Sequence, residues 1–389
     1  MQPQLACAER SRMETACTEQ SRSVADVIKS LGDKIDHIGL NTWQQRTLSL
    51  IKRCRTAALG GHIDACDSCS KLHISYNSCR NRHCPKCQGK NRALWISKRE
   101  KELLPVPYFH MVFTLSDALN ALAIHSPKMV YETLFHATWE TLQQFGKNKG
   151  VQMGMVAILH TWGQNLSLHP HLHCIVPGGG VNAKSDWQNI RADGKFLFHV
   201  KALSKVFRAK FCAQLKTLDA IQYQAIREEL WKQNWVVFAK RPFGSPKSVV
   251  EYLGRYTHKI AISNNRITEI DKDTVSFAYK DYKQKAQKKV MTLSHAEFIR
   301  RFALHILPKG FVKIRHYGFL SSTWKRKKLK VLQQKLGLKP LVKEAENPII
   351  LPKCMHCKTG NMRTVLVFDK RGPPLYYMGD SQTIDSYKS

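Results

Sequence analysis

His169-Pro170-His171-Leu172-His173 is the stretch of this chain whose residue types and spacing most plainly suit chemistry. Side chains of a strand alternate between its faces, so His171 and His173 present two imidazoles on one side. Same-face neighbours stand about 7 Å apart, and both rings can meet at one divalent ion. Such a pair leaves coordination positions open for a phosphate oxygen. His160, on the strand expected to precede the pair in a hairpin, is the expected third ligand, because a cross-strand neighbour reaches the same ion. His169 is its rival, since Pro170 can bend the chain. The ion expected is Mg²⁺ or Mn²⁺ acting as a Lewis acid, although imidazole donors leave other divalent ions open.

Further along, Tyr252-Leu253-Gly254-Arg255-Tyr256 sets two phenols at i and i+4, one above the other on a helix that Ser245-Pro246 would cap. Aromatic residues at this spacing also make ordinary core stripes. Here, however, Val249, Val250, Leu253 and Ile260 can supply the apolar face. Gly254 weakens a helix, which suits close approach of a nucleic-acid backbone better than it suits pure core. Arg255 and Lys259 add phosphate-binding charge. A metal to polarise a phosphate and a phenol to attack it are the parts of an enzyme that nicks DNA through a covalent intermediate. A phosphotyrosine conserves the energy of the broken bond, so rejoining needs no nucleotide. In keeping with this, the chain has no Gly-x-x-x-x-Gly-Lys-Ser/Thr loop.

A second kind of chemistry lies upstream. Cys66-x-x-Cys69 and Cys84-x-x-Cys87 match the two knuckles of a four-cysteine zinc ribbon, and a structural Zn²⁺ held by these four thiolates is expected. Cys79 and His83 lie between the knuckles, as substitutes or as supporting groups. Arg80, Arg82 and Lys86 surround the second knuckle and are expected to face nucleic acid. Cys354-x-x-Cys357 has no second knuckle near it in sequence, so a metal half-site and free thiols explain it equally well.

These sites sit in a chain of 389 residues with 62 Lys+Arg against 29 Asp+Glu, a formal charge of +33. A field of that size attracts polyanions, and DNA is the expected partner. No apolar run is long enough to span a bilayer, and the first residues lack the apolar core of a signal peptide, so a cytoplasmic site of action is expected.

The elements that must position the sites can be read coarsely. Thr42-Trp43-Gln44-Gln45 opens a helix through about residue 58, ended by Gly60-Gly61. Tyr108 to Leu115 reads as a strand. Ser126-Pro127 opens a helix with Val130, Leu134, Thr138 and Leu142 on one face. Residues 151–162 and 171–176 read as paired strands. Leu203, Phe207, Phe211, Leu215 and Leu218 trace an amphipathic helix. Residues 235–239 and 274–279 are further strands. Strands interspersed with helices, without βαβ repetition, indicate an α+β fold around one antiparallel sheet. The expected divisions are an unpatterned extension (1–24), a helical and zinc-binding DNA-recognition domain (25–104), a catalytic domain (105–320) and a basic carboxy-terminal tail (321–389), the last led by Lys325, Arg326, Lys327, Lys328 and Lys330.

With these residues in place, the chain resembles the rolling-circle insertion-sequence transposases of the two-tyrosine, His-hydrophobic-His (HUH) class with an amino-terminal zinc-binding domain. The matching segments are Ser75-Tyr76-Asn77-Ser78-Cys79-Arg80-Asn81-Arg82-His83-Cys84-Pro85-Lys86-Cys87, residues 169–180, residues 235–265, His305-Ile306-Leu307-Pro308-Lys309-Gly310-Phe311 and Arg315-His316-Tyr317-Gly318. They come in the family's order and extend over most of residues 25–320. The resemblance implies a palm-like antiparallel sheet, a metal role for His171 and His173, and nucleophile roles for Tyr252 and Tyr256. It also implies 5′-phosphotyrosine links to single-stranded transposon ends, in a bacterial, nucleoid-associated setting. Plasmid replication initiators and relaxases share this chemistry. A non-catalytic zinc-ribbon DNA-binding regulator, with its histidines and tyrosines merely packed, is the alternative from another class; it binds DNA without capturing it covalently.

Overall fold

The computed structural model describes residues 22–87, 95–97, 99–190, 197–239, 248–249, 254, 260–338 and 351–374. Its strands are, in chain order, β1 (Gly61–Cys66), β2 (Leu72–Tyr76), β3 (Tyr108–Thr114), β4 (Gly154–Trp162), β5 (Leu168–Pro177), β6 (Gly179–Val181) and β7 (Trp187–Asn189). They continue with β8 (Val237–Ala239), β9 (Ile267–Ile270), β10 (Thr274–Asp281), β11 (Gln287–Ser294), β12 (Ile314–Gly318) and β13 (Met362–Phe368). The fold is α+β.

The central sheet has five strands in the order β12-β4-β5-β3-β8, all pairs antiparallel. Its two faces are used differently. Met111 and Phe113 of β3, Met155, Ala157 and Leu159 of β4, and Leu172, Cys174 and Val176 of β5 point to one face. There they are buried with Val130, Leu134 and Leu142 of the helix Pro127–Lys147 and with Leu203, Phe207, Phe211 and Leu215 of the helix Val200–Leu218. Both expected apolar stripes are therefore core; only Leu218, past the end of the packed surface, is exposed. The other face carries His110, Val156, Ile158, His160, His171, His173 and Ile175. Val156, Ile158 and Ile175 are covered there by Leu104, Val106, Tyr108, Val249, Phe319 and Leu329. A sheet covered on one side by two long helices can hold functional side chains on its opposite side at fixed spacing.

The amino-terminal helices do not form a unit of their own. Val24, Val27 and Ile28 of the helix Val24–Leu31 and Leu48 and Ile51 of the helix Thr42–Lys52 share one core with Ile267, Val275, Phe277, Phe298 and Phe302. Those partners belong to the three-stranded sheet β11-β10-β9 and the helix His295–Ala303. The Trp43 Nε1–H donates to the Leu307 carbonyl at 3.0 Å, and the Gln44 side-chain amide to the Ala303 carbonyl at 2.9 Å. The division at 104/105 thus separates sequence but not packing.

Two local expectations shift for clear reasons. The second helix is capped by Asn41 rather than Thr42: its side chain accepts from the Gln44 N–H at 2.9 Å while the Gln44 side chain returns to the Asn41 N–H at 3.0 Å. Gly60-Gly61 does not end that helix, which stops at Lys52; it opens β1, where a Cβ on Gly61 would lie 2.4 Å from the Ser75 carbonyl oxygen and 2.5 Å from the Phe368 ring.

The expected carboxy-terminal tail is also corrected. Leu329 and Leu332 are buried against the sheet's histidine-bearing side, so Arg326, Lys327, Lys328 and Lys330 form the outer surface of a packed helix, while Lys325 is largely covered and reaches Glu102 at 2.6 Å. Beyond it, β13 pairs with β1 from Gly61↔Phe368 to Cys66↔Met362. A pairing between the two ends of a chain leaves no local sequence signal, because each strand alone is short and half exposed.

His305 locks the central sheet to the loop after β4. It is 3% exposed, takes a hydrogen bond at Nδ1 from the Thr161 hydroxyl (3.1 Å) and donates from Nε2 to the Leu166 carbonyl (3.2 Å). Burial holds its pKa down at about 4, against 6.5 in the unfolded chain. Between these two values the unfolded state binds a proton that the native state does not, so stability falls as pH falls. We expect about 2 kcal/mol to be lost between pH 7.5 and pH 5 from this group. Urea midpoints should decline less over that interval in His305→Gln than in the wild type; equal slopes would remove His305 from the account.

Candidate metal centres and nucleic-acid site

The hairpin β4–β5 sets His160 directly opposite His171, and β5's alternation puts His173 on the same face. The three rings converge. Their centroids are 4.5 Å (His160–His173), 5.0 Å (His171–His173) and 5.5 Å (His160–His171) apart, and a ligating nitrogen from each lies within 4.8 Å of the others. His160 and His173 are buried; His171 is partly open. His169, the rival third ligand, is not in this cluster: its Nδ1 lies 4.0 Å from the Asp117 carboxylate.

The rings are held from behind. The His171 Nδ1–H donates to the His169 carbonyl at 2.6 Å, a bond that fixes the tautomer and makes Nε2 the nitrogen that could ligate an ion. Nδ1 of His173 shares a hydrogen bond of 2.8 Å with Nε2 of His110, whose ring stacks on it at 12°. Coordination through Nε2 of His173 therefore requires that His173 donate and His110 accept. Trp162 stacks on the far side of His160, with centroids 4.6 Å apart. Sequence reasoning missed His110. Its signal was a lone imidazole in an apolar strand, on the same face as Val112 and Thr114, and only the pairing of β3 with β5 turns it toward His173.

Tyr252, Tyr256, Arg255 and Lys259 lie outside the described residues. Ser248, Val249 and Gly254, which flank them, are helical, and Val249 and Gly254 are buried. Val249 packs in the cluster containing Ile158 and Ile175, which sit beside the histidines on their face of the sheet. The start of the expected tyrosine helix therefore lies on that face.

Eight of the ten described cysteines form two sets rather than one. Cys54, Cys79, Cys84 and Cys87 converge at one place, and Cys66, Cys69, Cys354 and Cys357 at another. The expected single site of Cys66, Cys69, Cys84 and Cys87 is corrected accordingly. The reason is the hairpin itself. Cys66 ends β1 and Cys69 lies in the turn before β2, whereas the chain then runs the length of β2 before reaching Cys79. Strands of this length separate the two hairpin ends by about 17 Å, far beyond the reach of one ion. Cys54, which precedes β1, joins Cys79, Cys84 and Cys87 at the open end, where the Arg55 N–H donates to the Asn77 carbonyl and the Asn77 N–H to that of Gly60. In this set Cys54 and Cys87 sulfurs are 3.5 Å apart and those of Cys79 and Cys87 3.7 Å, near the edge of about 3.8 Å for a tetrahedron of Zn–S bonds. The Cys79 N–H donates to the Cys54 sulfur at 3.4 Å. Cys79 was thus a knuckle member, and Cys54 looked unrelated because a whole hairpin intervenes.

The basic residues of this module divide as well. Arg80 is exposed, with a left-handed φ of 51°, and Lys86 is half-buried. Arg82 does not face outward as expected. Its guanidinium donates to the carbonyls of Pro308 (3.1 Å) and Phe311, which ties the thiolate module to the loop before β12.

An antiparallel sheet bearing a buttressed three-histidine cluster, joined to a metal-binding thiolate module, defines the class to which comparison with known proteins adds a family. Residues 26–115 match the family described as "Transposase zinc-binding domain", which contains all four of Cys54, Cys79, Cys84 and Cys87. Residues 154–328 match the two-tyrosine family described as "Putative transposase". The chain is 44% identical over 386 residues to "Putative transposase y4qJ" of Sinorhizobium fredii, covering 90% of this chain and 97% of that one. It is 30% identical over 303 residues to the transposase for insertion sequence element IS801 of Pseudomonas savastanoi pv. phaseolicola, covering 73% of this chain and 72% of that one. No solved structure matches. The chain belongs to the rolling-circle, two-tyrosine HUH family of insertion-sequence transposases with an amino-terminal zinc-binding domain. No described helix is long and apolar enough to cross a membrane.

Proposed function

We propose that this transposase nicks and rejoins single-stranded transposon ends through 5′-phosphotyrosine links, with Tyr252 and Tyr256 as nucleophiles and His160, His171 and His173 as ligands of a catalytic divalent ion. The observation that carries this reading is the convergence of the three imidazoles, two of them oriented by hydrogen bonds at Nδ1, on the face of the sheet that also buries Val249. The donor set fits a divalent ion with positions left for phosphate oxygens. Its lack of a carboxylate favours Mn²⁺ over the harder Mg²⁺. When bound, such an ion supplies Lewis-acid polarisation of the scissile phosphate.

In the chemistry of the chain's own residues, a tyrosine oxygen attacks the phosphorus and the bond to the 3′ oxygen breaks. The 3′ oxygen leaves as a hydroxyl, taking up a proton, and the 5′ phosphate stays on the phenol. Rejoining is the reverse attack by a 3′ hydroxyl, which returns the proton to the tyrosine. Two tyrosines allow one end to stay bound while a second is attacked, as transfer from donor to target requires. Arg255 and Lys259 on the same segment, with Arg80 and Lys86 on the thiolate module, would hold the DNA phosphates. The protein would act in the bacterial cytoplasm, on the nucleoid.

The test is covalent capture. Full-length protein is incubated with single-stranded end oligonucleotides and Mn²⁺, then denatured. A protein–DNA adduct that resists denaturant and disappears with chelator is the expected result. DNA binding without any adduct would replace this reading with the non-catalytic regulator.

A further inference from the structure

We propose that Cys66, Cys69, Cys354 and Cys357 hold a second structural zinc ion, which pins the carboxy-terminal strand to the amino-terminal hairpin. The matched zinc-binding domain ends at residue 115, so half of this set lies outside it. Both halves are knuckles, Cys66-Asp67-Ser68-Cys69 and Cys354-Met355-His356-Cys357, and they meet as the two halves of a zinc ribbon do. The sulfurs of Cys66 and Cys357 are 3.6 Å apart and those of Cys69 and Cys354 3.7 Å, close to the edge of about 3.8 Å expected around tetrahedral zinc and far from a bonded S–S distance. Backbone N–H groups of Ser68 and Cys69 donate to the Cys66 sulfur, both at 3.4 Å, and that of Gly360 to the Cys357 sulfur at 3.3 Å. Donors placed this way stabilise thiolates, which is the form zinc binds. Each thiol gives up its proton to solvent on binding.

The surroundings are built for the contact. A Cβ on Gly360 would lie 2.4 Å from the Cys66 sulfur, so only glycine lets the second knuckle close on the first. Asp67 and Asn361 join the knuckles through three hydrogen bonds, from the Asp67 N–H to the Asn361 carbonyl and from the Asn361 N–H and side-chain amide to the Asp67 carboxylate. Apart from its backbone pairing with β1 and the Thr364 hydroxyl's hydrogen bond to Asp64 at 2.7 Å, the strand that follows has little apolar burial among the described residues. Val365 and Val367 of β13 are exposed, and its buried anchor is Phe368, packed edge-on against Tyr76. A short, mostly exposed edge strand closing a loop of this length gains its place from the ion more than from apolar burial.

Metal content of the purified full-length protein, measured by native mass spectrometry, should be two zinc ions per chain. Cys354→Ser with Cys357→Ser should halve it to one. To separate loss of the ion from loss of the fold in that variant, the wild type is also alkylated with and without chelator. Cys66, Cys69, Cys354 and Cys357 should react only after zinc is stripped, and the segment 351–374 should then become the faster site of proteolysis. One zinc per wild-type chain would overturn the proposal, as would alkylation of Cys354 and Cys357 before chelation, or their recovery in disulfides.

Discussion

Replacing His171 and His173 together by alanine is expected to abolish nicking while leaving DNA binding largely intact. A Lewis acid at a phosphoryl oxygen is worth several kcal/mol of transition-state stabilisation, which corresponds to a loss on the order of a thousandfold or more. Binding should survive because the attraction comes from a chain of net charge +33, not from two imidazoles. Stability should also survive in part: His171 is partly open and its bond is to a neighbouring carbonyl, whereas His173 is buried against His110. For this reason the single variant His171→Ala is the cleaner probe of chemistry, and His110→Ala separates orientation from ligation. If His110 only orients His173, its loss should weaken metal affinity about 10–100-fold and be rescued by excess Mn²⁺. Undiminished nicking by the double variant, or activity indifferent to chelator, would refute the metal role.

The second large effect is expected at the tyrosines. Tyr252→Phe combined with Tyr256→Phe should eliminate the covalent adduct with no loss of folding, since phenylalanine keeps the ring and removes only the hydroxyl. The substitution separates a catalytic phenol from a core stripe, because packing is preserved in both cases. The single variants decide whether either tyrosine can stand in for the other in the first nick; each should still be unable to complete transfer between two ends. An adduct persisting in the double variant would place the nucleophile elsewhere.

Much of the site was legible because it is local. The spacing of His171 and His173 fixes their common face in any strand, and the hairpin partner His160 follows from one turn of chain. The stripes of the helices Pro127–Lys147 and Val200–Leu218 were legible for the same reason, since a 3.6-residue period depends only on neighbours. His110 was not, because it meets His173 across a pairing of β3 with β5 that no short-range pattern encodes.

The cysteines mark the boundary most sharply. The sequence by itself determined that thiolate knuckles exist and that they suit zinc, since Cys-x-x-Cys closes on a metal within one turn of backbone. It did not determine which knuckles share an ion. Four nearby cysteines invite grouping by sequence distance, but the β1–β2 hairpin is stiff and carries Cys66 and Cys69 to one end and Cys79, Cys84 and Cys87 to the other. The partners at each end, Cys54 in one case and Cys354 with Cys357 in the other, are chosen by where the chain returns in space. Composition and local periodicity set the residues' chemistry; strand rigidity and long-range pairing, which belong to the tertiary structure alone, decided which of them meet.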